Sequence, residues 1–82
     1  MDAQLKAALQ RVQQLPDNVG FNAYAKTYAR AALHNPYTGK EMEGDELKTQ
    51  LLYVLNNLTY WRGEEARQAK SLLKKFAGVK QD

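Results

Sequence analysis

Residues 45–63 read DELKTQLLYVLNNLTYWRG, and this stretch places two different faces on one helix. One face repeats apolar side chains at the three- and four-residue spacing of a core-facing helix. Its members are Leu47, Leu51, Val54, Leu55 and Leu58. The opposite stripe carries amides and aromatic rings, namely Gln50, Tyr53, Asn57 and Tyr60. The first face predicts core, whereas the second is either a binding surface or a second buried side.

Tyrosine is the reason to consider binding for the second stripe. Its ring offers a large apolar area and its hydroxyl group a polar contact, and tyrosine is enriched in protein interfaces. The alternative is that Tyr53 and Tyr60 pack against a neighbouring helix, because a central helix in a small bundle is buried on two sides. Tyr24 and Tyr28 are expected in the core, since Phe21 shares their stripe.

Three further segments show helical periodicity, and no segment alternates as a strand does. The predicted helices span about residues 2–15, 20–34, 45–60 and 64–77. Pro16 stops the first helix, Asp45 is the expected N-cap of the third, and Gly63 and Gly78 are expected to close the third and fourth in a left-handed conformation. Asn18 or Asn22 is available to cap the second.

The short link after the third helix predicts that it forms a hairpin with the fourth. The expected fold class is therefore all-α, a compact bundle of about four helices in a single domain over residues 1–82. An 82-residue chain buries only about 60 to 65 per cent of its unfolded surface, which is too little for two cores. Its stability is expected to be modest, so that self-association would supplement it.

Periodicity vanishes between residues 35 and 44, where Asn, Pro and Gly break the helical pattern. Loops of this length in small domains are uncommon unless they are functional or mobile. The candidate contact residues in it are Tyr37, Lys40 and Met42. A different possibility is a capping box formed by Thr38 and Glu41, which would begin a short helical turn.

Reactive constellations are missing from the sequence. His34 is the single histidine and there is no cysteine, which leaves neither a nucleophile with its base nor a zinc ligand set. Gly39-Lys40 lacks the preceding glycine and the following Ser or Thr of a phosphate-binding loop. We therefore expect a protein that is not an enzyme and needs no metal or cofactor.

Composition also restricts the cellular setting. The absence of cysteine favours a reducing, intracellular compartment, because small secreted domains usually carry disulfides. No apolar run approaches the roughly 18 residues that span a bilayer, and the first residues do not resemble a signal peptide. The expected location is the cytoplasm, without membrane contact.

The net charge of +3 is concentrated near the C-terminus, which favours nucleic-acid binding as an alternative function. The residues that would contact phosphates are Arg67, Lys70, Lys74 and Lys75. Glu64 and Glu65 begin the same helix, however, and acids at the start with lysines at the end are what the helix dipole favours in any surface helix. Those acids would also repel DNA if this helix were the second helix of a helix-turn-helix motif.

The C-terminal half carries a resemblance to a known group of proteins. The run LLYVLNNLTYWRGEEA, residues 51–66, resembles small helical proteins encoded in phage and prophage genomes. That group includes compact inhibitors that occlude host proteins. The resemblance implies an accessory or inhibitory role and identifies no functional residue.

The leading hypothesis is therefore a protein-binding module whose partner is a host protein or a second copy of the chain. The predicted contact residues are Tyr53, Asn57, Tyr60, Trp61 and Arg62, together with Tyr37 and Lys40 of the loop. Trp61 and Arg62 are alternatively a stacking pair that closes the hairpin. A third hypothesis is an oligomer that sequesters a nucleotide, with Lys40 or Arg62 pairing its phosphate.

Overall fold

Four α-helices make up the regular structure in the computed structural model, which describes residues 1–16 and 22–79. They are α1 (Ala3–Val12), α2 (Asn22–Leu33), α3 (Gly44–Asn56) and α4 (Glu64–Ala77). Each helix packs against the next, and α1 also packs against α4, so that the bundle closes on itself. The predictions of an all-α bundle and of a hairpin between α3 and α4 are confirmed. In the described ranges no helix is long and apolar enough to cross a membrane.

One hydrophobic core contains residues from all four helices. Leucine and valine side chains of α1, α3 and α4 fill it, and α2 contributes alanines, which allow the neighbouring helices to approach closely. Its fully buried members are Leu5, Leu9, Val12, Ala25, Ala29, Ala32, Leu51, Val54, Leu58 and Leu73. The leucine stripe predicted on the third helix is confirmed as core. Leu47 and Leu55 pack at its edge and are half-buried.

Helix α3 ends at Asn56, earlier than the predicted Tyr60. Asn57 is its C-cap, and its side-chain Nδ2 donates to the carbonyl of Tyr53 at 2.8 Å. Tighter turns follow, in which the amide of Leu58 donates to Leu55 and that of Trp61 donates to Leu58, each at 3.1 Å. Asn56 and Asn57 have low helix propensity, and the α-helix therefore ends there and is followed by these turns. Leu58 still reaches the core from the turn.

Three predictions about helix ends need correction or confirmation. Asp45 is not the N-cap of α3; Glu43 is, without a side-chain capping bond, and Asp45 lies in the first turn. Gly63 does not close α3, which ends earlier; with a φ of 109° it turns the chain into α4 as its N-cap. Gly78 closes α4 in the left-handed conformation, as predicted. The predicted turn over residues 17–20, including Asn18, lies outside the described residues.

Helix α1 begins immediately after Asp2 and ends at Val12, before the predicted Leu15. The Asp2 carboxylate accepts from the amides of Gln4 and Leu5 at 2.8 and 3.0 Å, which satisfies two of the amides that a helix start leaves free. Asp2→Ala is expected to lower the free energy of unfolding by about 1 kcal/mol. Urea unfolding followed by circular dichroism measures this loss. An unchanged midpoint would show that the cap contributes nothing.

The segment from residue 34 to residue 43 is irregular, as predicted, and is fixed by hydrogen bonds. The buried Asn35 accepts at its Oδ1 from the amide of Tyr37 at 2.9 Å, and its backbone bonds to Gly39 and Lys40. The alternative of a capping box is wrong, because Thr38 Oγ1 accepts from the amide of Lys40 and no helical turn follows.

Candidate functional site

Helices α2 and α3 run antiparallel and share a seam on one side of the bundle. Gln50 Nε2 donates to the carbonyl of Tyr28 at 2.9 Å, and the rings of Tyr28 and Tyr53 lie 5.5 Å apart between centroids. At the start of α3, the Glu46 carboxylate accepts a hydrogen bond from Asn35 Nδ2 at 3.3 Å. Since residue numbers rise in one helix as they fall in the other, Tyr24 is level with the end of α3.

Tyrosine rings mark the solvent side of this seam. We call Tyr24, Tyr28 and Tyr53, together with the exposed Tyr60 in the turns that follow α3, the tyrosine face. Tyr24, Tyr53 and Tyr60 are 60%, 48% and 57% exposed, and Tyr28 is half-buried between the core and Tyr53. Neither Tyr53 nor Tyr60 is enclosed in the core, and Tyr53 packs one side of its ring against Tyr28 of the neighbouring helix α2, as the alternative expected. The binding role of the two rings stays a prediction.

The prediction that Tyr24 belongs to the core is wrong. It lies one turn before Tyr28 in α2, at the outer edge of the seam, whereas Ala25 takes the buried position beside it. The small alanine side chains fill the space between α2 and its neighbours, which leaves no room for a second large ring there. Two features of the sequence indicate that Tyr24 is exposed: its spacing of four residues from Tyr28 and the alanines at the buried positions of α2.

The side chains around the contact of Tyr28 with Gln50 and Tyr53 are uncharged. On the same helix faces they are Tyr24, Tyr28 and Ala31 in α2 and Gln50, Tyr53 and Asn57 in α3. Lys26 and Arg30 are two residues from the tyrosines of α2 and therefore lie on another side of the helix. Glu46, one turn before Gln50, ends the uncharged stretch. Sequence reasoning missed the exposed Tyr24, since single-helix periodicity does not show which helix lies alongside.

The amides of the predicted binding stripe have structural partners. Gln50 and Asn57 are half-buried, and each donates its side-chain NH2 to a backbone carbonyl, that of Tyr28 and that of Tyr53. Their side-chain oxygens carry the remaining acceptor capacity. The tyrosine rings therefore supply most of the contact area that this face offers.

Trp61 and Arg62 separate in the structure. Trp61 is half-buried and packs against the core, and the cation above its ring is Arg11, whose Cζ lies 5.8 Å from the ring centroid. Arg62 is exposed. The predicted stacking pair of neighbours is therefore replaced by a contact between α1 and the turn after α3, and of the two residues Arg62 is the one available to a partner.

Tyr37 and Lys40 lie at the opposite end of α3 from Asn57 and Tyr60. The chain enters α3 directly after this loop, and Tyr53 follows Gly44 by about 14 Å of helix rise. Tyr37 is 94% exposed and Lys40 is exposed, whereas the suspected contact residue Met42 is buried and its amide donates to Ala32. The predicted contact set is thus divided between two ends of the molecule.

Three ion pairs join the N-terminal residue and α1 to the loop before α3 and to α4. Arg11 donates through Nε and Nη2 to the carboxylate of Glu65, and Glu41 lies 3.0 Å from both the terminal ammonium of Met1 and Lys6 Nζ. The hydrogen bonds from Arg11 hold the pKa of Glu65 below its ordinary value of 4.5. Those from the terminal ammonium and then Lys6 do the same to the pKa of Glu41.

These lowered pKa values predict a dependence of stability on pH. Each ionised carboxylate stabilises the fold above its ordinary pKa, and this contribution disappears as the pH falls through the lowered value. The Glu41→Gln, Glu65→Gln variant is therefore expected to melt below the wild type at neutral pH and together with it in strong acid. Melting temperatures across that range measure the difference. A difference in melting temperature that persists in strong acid would contradict the lowered pKa values of Glu41 and Glu65.

Three of the four predicted nucleic-acid contacts, Arg67, Lys70 and Lys74, share one side of α4 at spacings of three and four residues. Arg67 pairs with Glu64 at 3.4 Å, Lys70 Nζ donates to the carbonyl of Trp61 at 2.6 Å, and Lys74 and Lys75 are exposed. Lys75 follows Lys74 directly and so points to another side of the helix. Nucleic-acid binding stays a prediction. In the described part of the chain no group of three His, Asp or Glu side chains is placed to hold a metal ion.

Comparison with known proteins identifies no relative. No protein-family model, curated protein or solved structure matches this chain. The function is therefore argued from the site itself, and the resemblance to phage-encoded proteins stays a prediction from the sequence.

Proposed function

We propose that this chain is a non-enzymatic protein-binding module that docks its partner on the tyrosine face. The partner is a host protein in the bacterial cytoplasm or a second copy of the chain, in keeping with a phage accessory or inhibitor. The observation that carries the proposal is the uncharged, tyrosine-rich seam between α2 and α3. Charged residues make up 26% of the sequence, whereas the part of this seam around Tyr28, Gln50 and Tyr53 carries none before Glu46.

Depletion of charge and enrichment in tyrosine are the compositional features of an interface centre. A charge buried by a partner must be desolvated, and threonine, glutamine and tyrosine avoid most of that cost while they keep polar groups for hydrogen bonds. Tyrosine is also among the residue types that carry most binding energy. Tyr24 and Tyr53 together therefore give a partner two adjacent anchors on neighbouring helices.

The helical support of the face favours binding energetically. Tyr24, Tyr28 and Tyr53 belong to regular helices, and the ring of Tyr53 rests against that of Tyr28. Little backbone entropy is lost when such residues are covered, because their positions are fixed before the partner arrives. A standard interface buries roughly 800 Å² on each partner, so that contacts would extend beyond the tyrosine face.

The proposal is tested by comparing the wild type with a Tyr53→Ala, Tyr60→Ala variant and with Tyr37→Ala. Tyr37 is a matched control, since it is an exposed tyrosine at the other end of α3. Affinity capture from a bacterial lysate and sedimentation of the purified protein detect a host partner and a self-complex. The double variant is expected to lose the complex and to keep its helical circular dichroism, and Tyr37→Ala is expected to keep both. Equal losses in the two variants would contradict the proposal.

A further inference from the structure

A groove of about 430 Å³ lies between α3 and α4, on the other side of α3 from the tyrosine face. Its apolar lining comes from Leu52, Leu55, Leu58 and Val79. Leu52 and Val79 are 39% and 38% exposed, which is unusual for side chains with a core available beside them. Volumes of a few hundred Å³ with a predominantly apolar lining are typical of small-ligand sites.

Two lysines of α4 line the same groove. Lys70 and Lys74 are four residues apart and hence on one side of the helix, and Asn56 and Thr59 are the remaining polar residues of the lining. No carboxylate belongs to this lining, and no described carboxylate lies within ion-pair distance of either lysine. The groove therefore combines an apolar surface with positive charge that no carboxylate of residues 1–16 and 22–79 neutralises.

The ammonium group of Lys70 lies close to other positive charges. It is half-buried, and its ammonium donates one hydrogen bond, to the carbonyl of Trp61. Burial, and then repulsion from Arg62 and Lys74, lower the pKa of Lys70. An anion placed between Lys70 and Lys74 would relieve the repulsion and accept the free ammonium protons, so that the site is electrostatically complementary to a negative headgroup.

We propose that the groove between α3 and α4 binds a free medium-chain carboxylate, with its alkyl chain along Leu52, Leu55 and Val79 and its carboxylate between Lys70 and Lys74. The apolar lining accounts for the chain, and the unneutralised pair of ammonium groups accounts for the headgroup. This ligand class is independent of the partner proposed for the tyrosine face, which lies on the other side of α3. Failure of either proposal would therefore leave the other unaffected.

Decanoate, below its micelle concentration, is the probe. Calorimetry of the 82-residue chain is expected to show saturable binding of one decanoate per chain. Lys74→Gln changes an exposed side chain and is expected to weaken binding about tenfold, about 1.4 kcal/mol, because the carboxylate loses one charge-assisted hydrogen bond. The Lys70→Gln, Lys74→Gln variant is expected to weaken it further.

Three controls decide between this site and general attraction. Arg67→Gln, Lys75→Gln removes the same charge as the double lysine variant from residues outside the groove, and is expected to bind decanoate like the wild type. Decyltrimethylammonium, which reverses the headgroup charge, is expected not to bind. Vesicles of anionic lipid are expected not to retain the protein. Absence of decanoate binding, equal weakening in the two double variants, equal binding of the cationic probe, or retention by vesicles would each overturn the proposal.

Discussion

Leu51→Ala is expected to lower the free energy of unfolding by about 2–5 kcal/mol, the largest effect of any single change considered for this chain. Leu51 is fully buried in α3, the helix that packs against both α2 and α4. Removing its side chain leaves a cavity that the alanines of α2 are too small to fill. A domain of this length has roughly 4–12 kcal/mol in total, so that the variant is close to unfolding.

Leu52→Ala is the matched control for that change. Leu52 is the adjacent leucine of the same helix and 39% exposed, so that its truncation removes less buried area and creates no enclosed cavity. We expect a loss of less than about 1 kcal/mol. Urea unfolding of both variants, followed by circular dichroism, compares them directly. Similar losses would mean that α3 does not present Leu51 to the core and Leu52 to the outside.

Thr49→Lys is expected to weaken association through the tyrosine face by tenfold or more without loss of stability. Thr49 is exposed in α3 one turn before Tyr53, and a partner covering that ring would bury the new ammonium group. The fold should tolerate the change, since lysine has the higher helix propensity and Asp45 lies four residues earlier as a favourable ion-pair partner.

Gln10→Lys adds the same charge at an exposed position of α1 and serves as the control. It is expected to leave association unchanged, which separates the effect of a charge in the interface from that of net charge. The measurement is the dissociation constant of the complex for each variant at one salt concentration. If both variants bind equally well, the uncharged seam is not part of the interface.

Periodicity predicted the helices because each amphipathic segment must bury its apolar face, whatever the arrangement of the others. It placed Leu51, Val54 and Leu58 in the core and anticipated Gly78 as a C-cap, and the structure agrees. The end of α3 was predicted too late because Leu58 continues the apolar spacing, although it reaches the core from a turn rather than from the helix.

The candidate site was less predictable, because it belongs to two helices. The stripe on α3 gave Tyr53 and Tyr60, but Tyr24 joins them only through the antiparallel seam with α2, which no local pattern encodes. Trp61 illustrates the opposite case. Its residue type favours interfaces, yet its surroundings, the core and Arg11, are contributed by distant segments.

Nitration of tyrosines, read out by mass spectrometry in the free protein and in its complex, addresses the role of the phenol rings directly. We expect Tyr24, Tyr53, Tyr60 and Tyr37 to react readily in the free protein and Tyr28 to react more slowly. In the complex the first three should become protected while Tyr37 remains reactive. Unreactive Tyr53 and Tyr60 in the free protein, or protection of Tyr37 alone in the complex, would contradict it.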